Sequence, residues 1–208
     1  MSIKKIFIIG GMGAGKSTAT KTLASRGLPI IDLDEVGHEV LKWDTVKEEM
    51  VATFGEDIIG DDGEIVRSRL AEKAFASPET TRKLNRISMP RIEEAYYDEL
   101  ARLEGVGHKA CLVEYSVFKR RDASLAYSAD VVIAVIAPID DRIKRAVAAG
   151  WKEDDVRRRI AQQITDADRI EAADVVFNND GTKEELVNDV LAWWNKYRDD
   201  NDLMVTFD

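Results

Sequence analysis

Ile6-Phe7-Ile8-Ile9-Gly10-Gly11-Met12-Gly13-Ala14-Gly15-Lys16-Ser17-Thr18 constrains what this chain can fold into more than any other stretch. Its first four residues are a short apolar run, the pattern of a strand buried on both faces. Gly10, Gly15, Lys16 and Ser17 then meet the spacing G-x-x-x-x-G-K-[ST] of a phosphate-binding loop. Backbone N–H groups wrap a triphosphate only where no Cβ blocks the approach and φ is free to turn positive, hence the glycines. Gly11, Met12, Gly13, Ala14, Gly15, Lys16, Ser17 and Thr18 are therefore the candidate nucleotide cradle. Lys16 would bring a point charge to the β- and γ-phosphates, and the Ser17 hydroxyl would hold Mg²⁺. A Gly-rich turn can meet the pattern by accident, but here a strand precedes it and a helical pattern follows.

At 208 residues the chain is long enough for one sizeable core, so one domain is expected. A formal net charge of −9 argues against a nucleic-acid surface. One cysteine excludes an intramolecular disulfide, and two histidines leave little for a His-based zinc site. The apolar run after the cationic first residues is too short for a signal peptide, and no segment approaches the ~20 apolar residues of a membrane span. Cytoplasm is the expected compartment, with no membrane partner.

After the loop, Lys16 to Arg26 reads as a helix closed by Gly27. Pro29-Ile30-Ile31 is a second strand, delivering Asp32-Leu33-Asp34 at the sheet edge where open α/β folds bind ligands. Asp34 has a plain alternative role as N-cap of the next helix. That helical run extends from Glu35 to Phe54 with a break near Trp43-Asp44. A turn at Gly60 to Gly63 opens a helical insertion in which Ser77-Pro78 starts one helix, ending at Met89-Pro90, and Arg91 to Leu103 forms another. Ala110–Val113, Val131–Ile136 and Val175–Phe177 are three further strands, with Cys111 a packed core residue inside the first. Helices follow at Asp140–Ala149, from Glu153 to about Ile164, and after a Thr182/Glu185 capping box. The acidic tail beyond Arg198 is expected to fray, with Leu203 to Phe207 able to add an edge strand.

Five short strands alternating with helices mean a doubly wound parallel sheet covered on both faces, with the phosphate loop after the first strand. A guanine-reading Asn-Lys-x-Asp is missing, since the late-strand candidate is Asn178-Asn179-Asp180-Gly181. What remains is a small-molecule kinase. Such an enzyme needs a carboxylate to orient the acceptor hydroxyl and arginines to neutralise the transferring phosphoryl group. Asp32 and the arginines at 142, 145 and 157–159 supply both types, although a solvated helical face is an equal reading of the arginines.

Taken together, the chain resembles the dephospho-coenzyme A kinase family along nearly its whole length. The phosphate loop, the Pro29–Glu35 element, Phe54–Ile58 with Gly63 and Arg67–Leu70, and Arg159-Ile160-Ala161-x-Gln163 are each similar to family motifs. So is Ala173–Val176 with Asn179 and Gly181. The resemblance implies a five-stranded sheet of the P-loop nucleoside-monophosphate-kinase type, with a helical acceptor-binding insertion at about 60–106 and a lid at about 142–164. It implies that ATP, with Mg²⁺, phosphorylates the ribose 3′-hydroxyl of dephospho-CoA, the last step of coenzyme A biosynthesis. Catalysis would fall to Asp32, Lys16 and the lid residue Arg145, with Arg145 and Asn179 also on the nucleotide. The departures lie toward the acceptor and the lid: Met89-Pro90 where the family has His-Pro, the stretch Val113–Lys119, and a missing arginine near Ala149. Transfer to another small-molecule hydroxyl, or ATP binding without transfer, are the alternatives.

Overall fold

Ile6, Phe7, Ile8 and Ile9 are all buried because their strand, β1 (Lys4–Gly10), is the middle one of five. β2 is Ile30–Asp32, β3 Ala110–Glu114, β4 Val131–Ile136 and β5 Val175–Asn178. The order is β2-β3-β1-β4-β5 and every pairing is parallel, the doubly wound α/β sheet expected from the strand–helix alternation. The structure is a computed structural model and describes residues 2–116, 118–122 and 124–203. The first helices are α1 (Lys16–Ala24), α2 (Leu33–Val40), α3 (Asp44–Phe54), α4 (Arg67–Ala74) and α5 (Pro78–Gly105). Then come α6 (Ser124–Tyr127), α7 (Ile139–Ala148), α8 (Glu153–Gln162), α9 (Asp166–Ala172) and α10 (Lys183–Asp200). Among the described residues, no helix is long and apolar enough to cross a membrane.

The chain forms two compact units. The first, residues 1–32 and 100–208, holds the sheet. On one face Ile6, Ile8, Leu112 and Ile133 pack with Ala19 and Leu23 of α1 and with Leu186, Val190 and Trp194 of α10. Of the two neighbouring tryptophans, Trp194 is the core residue, while Trp193 stacks on Tyr197 with centroids 4.9 Å apart. Phe7, Val113, Val132 and Ala134 alternate onto the other face and are also buried, which is why these strands read as unbroken apolar runs. The register sets Ile8 level with Glu114, and Glu114 level with Asp32. Glu114 and Asp32, the last residues of β3 and β2, thus lie side by side at one edge.

The second unit, Leu33–Glu99, takes in α2 and α3 as well as the stretch after Gly60. Its core is Val40, Val46, Met50, Phe54, Ile58, Leu70, Ala74 and Ile87.

Some local expectations are corrected. α2 starts at Leu33, so Asp34 lies inside its first turn and Asp32 occupies the position before the helix. Pro90 does not divide two helices: α5 runs through it. Proline inside a helix costs about 3 kcal/mol. Leu84 and Ile87 before it, and Ile92 and Ala95 after it, all pack in the second unit's core. The buried Ile87 contributes roughly 1.5–3 kcal/mol, and the partly buried Leu84, Ile92 and Ala95 add to it, which together offset the local penalty. The charged helix after Glu153 ends at Gln162, and a separate α9 follows. Thr165 and Asp168 start it with a capping box: the Asp168 N–H donates to Thr165 Oγ1 at 3.1 Å, and the Thr165 N–H to Asp168 Oδ2 at 2.9 Å. At the other end α10 continues past Arg198 to Asp200, and Leu203 is buried against its core face. The edge strand expected at Leu203–Phe207 falls, beyond Leu203, outside the described residues.

Candidate active site

Gly15 turns β1's loop into α1. Its φ of +105° is the left-handed region, and a Cβ there would lie 2.2 Å from the Asn179 side-chain nitrogen. Lys16 and Ser17 follow as the first residues of α1, so their N–H groups have no intrahelical partner and carry the positive end of the helix dipole. An anion is the natural ligand of such an end. The Ser17 hydroxyl makes no hydrogen bond among the described residues.

Lys16 reaches the strand edge, where its Nζ lies 3.0 Å from Glu114 Oε2. Glu114 is level with Asp32 on the neighbouring strand. Adjacent strands are about 4.8 Å apart, so Lys16, Glu114 and Asp32 form one charged row beside the loop. The sheet-edge reasoning that singles out Asp32 applies equally to Glu114, which ends β3 in the same way. Sequence reasoning had the signal and did not use it.

The loop is braced from β5 and α7. The buried Asn179 donates its Nδ2 to the Ala14 carbonyl at 2.8 Å, and its own carbonyl accepts from Arg145 Nη2 at 2.9 Å. Asn179 therefore supports the loop from behind. Arg145 Nη1 is buried without a hydrogen-bond partner among the described residues. An unsatisfied buried N–H costs about 1–3 kcal/mol, so this nitrogen has the capacity to donate to one further acceptor.

Arg142 is more deeply placed than Arg145, at 3% exposure. Its Nε donates to the Met12 carbonyl at 2.9 Å and its Nη2 to Gln163 Oε1 at 3.2 Å. The same Gln163 oxygen accepts the Met12 N–H at 3.0 Å, so that N–H points away from a phosphate in this conformation. Asp166 faces Arg142 at 3.5 Å and Arg169, also buried, at 2.6 Å. Burial, the strongest influence, pulls the Arg142 guanidinium below its ordinary pKa; Asp166 opposes the shift and Arg169 adds to it.

The other arginines stay on the surface. Arg157 pairs with Glu153 at 2.7 Å one turn earlier on α8, and Arg158 pairs with Asp155. Arg159 lies over the Trp151 ring, 4.7 Å from its centroid. The second unit contains a cavity of about 560 Å³ whose lining includes His38, Lys42, Glu64 and Arg67. Among the described residues no group of three or more His, Cys, Asp or Glu could hold a metal ion.

The chain is similar to known proteins in sequence and in fold. Residues 5–185 match the dephospho-CoA kinase family. A dephospho-CoA kinase of Corynebacterium efficiens is 41% identical over 184 residues, 88% of this chain and 91% of that protein. A crystal structure from Thermus thermophilus, 26% identical, superposes with a TM-score of 0.81 over 94% of this chain and 98% of its own. Dephospho-CoA kinase from Campylobacter jejuni, 20% identical, shares the fold with a TM-score of 0.64 over 93% of this chain and 96% of its own. The chain belongs to the dephospho-CoA kinase family.

Proposed function

We propose that this protein transfers the γ-phosphoryl group of ATP to the ribose 3′-hydroxyl of dephospho-CoA, the last step of coenzyme A biosynthesis. The observation that carries the reading is the row Lys16–Glu114–Asp32 beside a loop whose helix N-terminus is open to an anion. Gly11 to Thr18 cradle the triphosphate, and Lys16 exchanges Glu114 for the β- and γ-phosphates when nucleotide arrives. Arg145, with one guanidinium nitrogen already fixed on the Asn179 carbonyl and the other unsatisfied, takes a phosphate or ribose oxygen. Asp32 orients the acceptor hydroxyl and accepts its proton as the P–O bond forms.

Mg²⁺ fits this donor set. The ion commonly keeps several waters and uses one or two protein oxygens plus phosphate oxygens, so it needs no cluster of carboxylates. Ser17 would hold it. When bound it would neutralise developing charge on the phosphates.

The test is ATP-dependent turnover against dephospho-CoA, nucleosides, nucleotides and pantothenate derivatives, with ³¹P NMR locating the new phosphate. Transfer to dephospho-CoA at the 3′ position is expected. Transfer to another acceptor alone would overturn the substrate, and ATP binding with no transfer to any acceptor would overturn the activity.

A further inference from the structure

Arg142 belongs by sequence to the arginines that a kinase presents to the transferring phosphoryl group. The structure puts its guanidinium elsewhere. It lies flat against the loop, so that a Cβ on Gly11 would sit 2.0 Å from Nη2 and 2.5 Å from Cζ. Gly13, at φ +74°, would carry a Cβ 2.2 Å from the Arg142 carbonyl oxygen. Two glycines that read as clearance for phosphate are thus also clearance for one arginine. The two peptide groups that flank the Met12 Cα are each held: Arg142 Nε donates to the Met12 carbonyl, and Gln163 Oε1 accepts from the Met12 N–H. Arg142 and Gln163 are joined in turn at 3.2 Å. The Met12 side chain packs with Ile143, Ala146, Val156 and Ile160, so α7 and α8 grip this residue by side chain and backbone alike.

The energetics favour a role beyond stability. A buried ion pair is often no better for folding than apolar residues of the same volume. Here two buried guanidinium groups share the single carboxylate of Asp166, an expensive arrangement for filling space. What an apolar residue does not supply is a donor aimed at the Met12 carbonyl.

We propose that Arg142, with Gln163, is a positioning residue of the kinase: it fixes the backbone on both sides of Met12, and so the shape of the phosphate loop, without touching phosphate itself. The inference rests on the reading of the loop as an ATP site.

The experiment uses the full chain and the variants Arg142→Met, Arg142→Lys, Gln163→Met and the double variant Arg142→Met/Gln163→Met. ATP affinity is measured by calorimetric titration, steady-state transfer to dephospho-CoA gives kcat and KM for ATP, and Tm is recorded for each. A charged hydrogen bond is worth about 1.5–3 kcal/mol, so ATP affinity should fall roughly tenfold or more in Arg142→Met. Gln163→Met should weaken ATP in the same direction, with kcat less affected than KM in both. Because the two residues hold the backbone of one residue and are hydrogen-bonded to each other, the double variant should lose little more than the worse single one. Arg142→Lys, which keeps charge but lacks the fork, should not restore affinity fully. Lower Tm with unchanged ATP affinity in every variant would overturn the proposal in favour of plain packing. A fall in kcat alone, confined to Arg142 variants, would overturn it in favour of direct phosphate contact. Gln163 is half-buried, so Gln163→Met still decides if Arg142→Met fails to fold. A wild-type chain that binds ATP without transfer would sink the functional reading, and the affinities would still decide the positioning role.

Discussion

Lys16 Nζ and Glu114 Oε2 lie 3.0 Å apart, with their side chains only 14% and 13% exposed. The lysine of the phosphate loop is therefore held by a carboxylate of the same sheet edge, and under the proposed function ATP competes with that carboxylate for it. Lys16→Ala should lose ATP affinity and transfer together, and it should also lower Tm, because Glu114 is left half-desolvated without its partner. Adding Glu114→Gln to Lys16→Ala should recover Tm but not ATP affinity. Glu114→Gln alone should bind ATP at least as tightly as the wild type. Thermal scans and ATP titrations on the three variants check this. Weaker ATP binding in Glu114→Gln would show that the carboxylate supports the nucleotide and does not compete with it.

Asn179 makes a second prediction. Its buried Nδ2 reaches the Ala14 carbonyl at 2.8 Å, and Asn179→Asp would turn that donor into an acceptor facing an acceptor. Leaving a buried polar group unsatisfied costs about 1–3 kcal/mol. For a chain of about 200 residues that corresponds to a fall in Tm of roughly 2–12 °C. ATP affinity should fall as well, since the loop loses its brace. An unchanged Tm would mean that the contact does not hold the loop.

Much of this arrangement was legible in the residue pattern. The loop spacing and the apolar run before it place Lys16 and Ser17 at a helix start, and the Asp32 position follows from the end of a short strand. The brace from Asn179 was not legible, because a contact across 165 positions depends on how β5 lies against the loop. The family likeness marked Asn179 without saying what its amide does. Arg142 was read as one cation among several, since sequence shows the charge and not the burial. Pro90 failed for a related reason: local rules end a helix there, while packing of residues on both sides carries it through. The Thr165/Asp168 capping box is readable from its spacing, three residues apart at the start of α9.

Acid should destabilise the sheet at the edge opposite the site. At Asp130 burial is the strongest influence and disfavours ionisation, but the Lys5 N–H and the Lys5 and Lys4 ammonium groups together outweigh it and lower the pKa. Asp174 behaves likewise, its burial outweighed by Arg121 and the Val132 N–H. A carboxylate whose folded pKa lies below its unfolded value, about 3.9 for Asp, adds stability that is present above that value. The contribution is lost as pH falls through the folded pKa. Tm should therefore lose this share below about pH 4, and Asp130→Asn should flatten the acid limb. An equally steep limb in Asp130→Asn would remove Asp130 from the account.

Asp32 carries the chemical claim. It ends β2 level with Glu114, which pairs with Lys16 of the phosphate loop, so under the proposed function its carboxylate stands one strand from the reacting groups. A ribose hydroxyl is a poor nucleophile until it is oriented and its proton has a destination. A carboxylate supplies both, and the loose transition state of phosphoryl transfer makes orientation as important as basicity. Asp32→Asn keeps the shape but removes the charge and replaces one acceptor oxygen with a donor. Asparagine also serves before a helix as well as aspartate does, so the start of α2 at Leu33 survives. We expect kcat to fall by roughly 10²–10⁴-fold, with ATP affinity little changed. Asp34→Asn is the comparison. Asp34 lies inside the first turn of α2, where its charge favours the helix dipole by about 0.3–1 kcal/mol. That substitution should lower Tm slightly and leave kcat within a few-fold. Steady-state transfer, ATP titration and thermal scans on both variants make the comparison. An active Asp32→Asn beside a crippled Asp34→Asn would show that the second aspartate, and not the first, holds the acceptor hydroxyl.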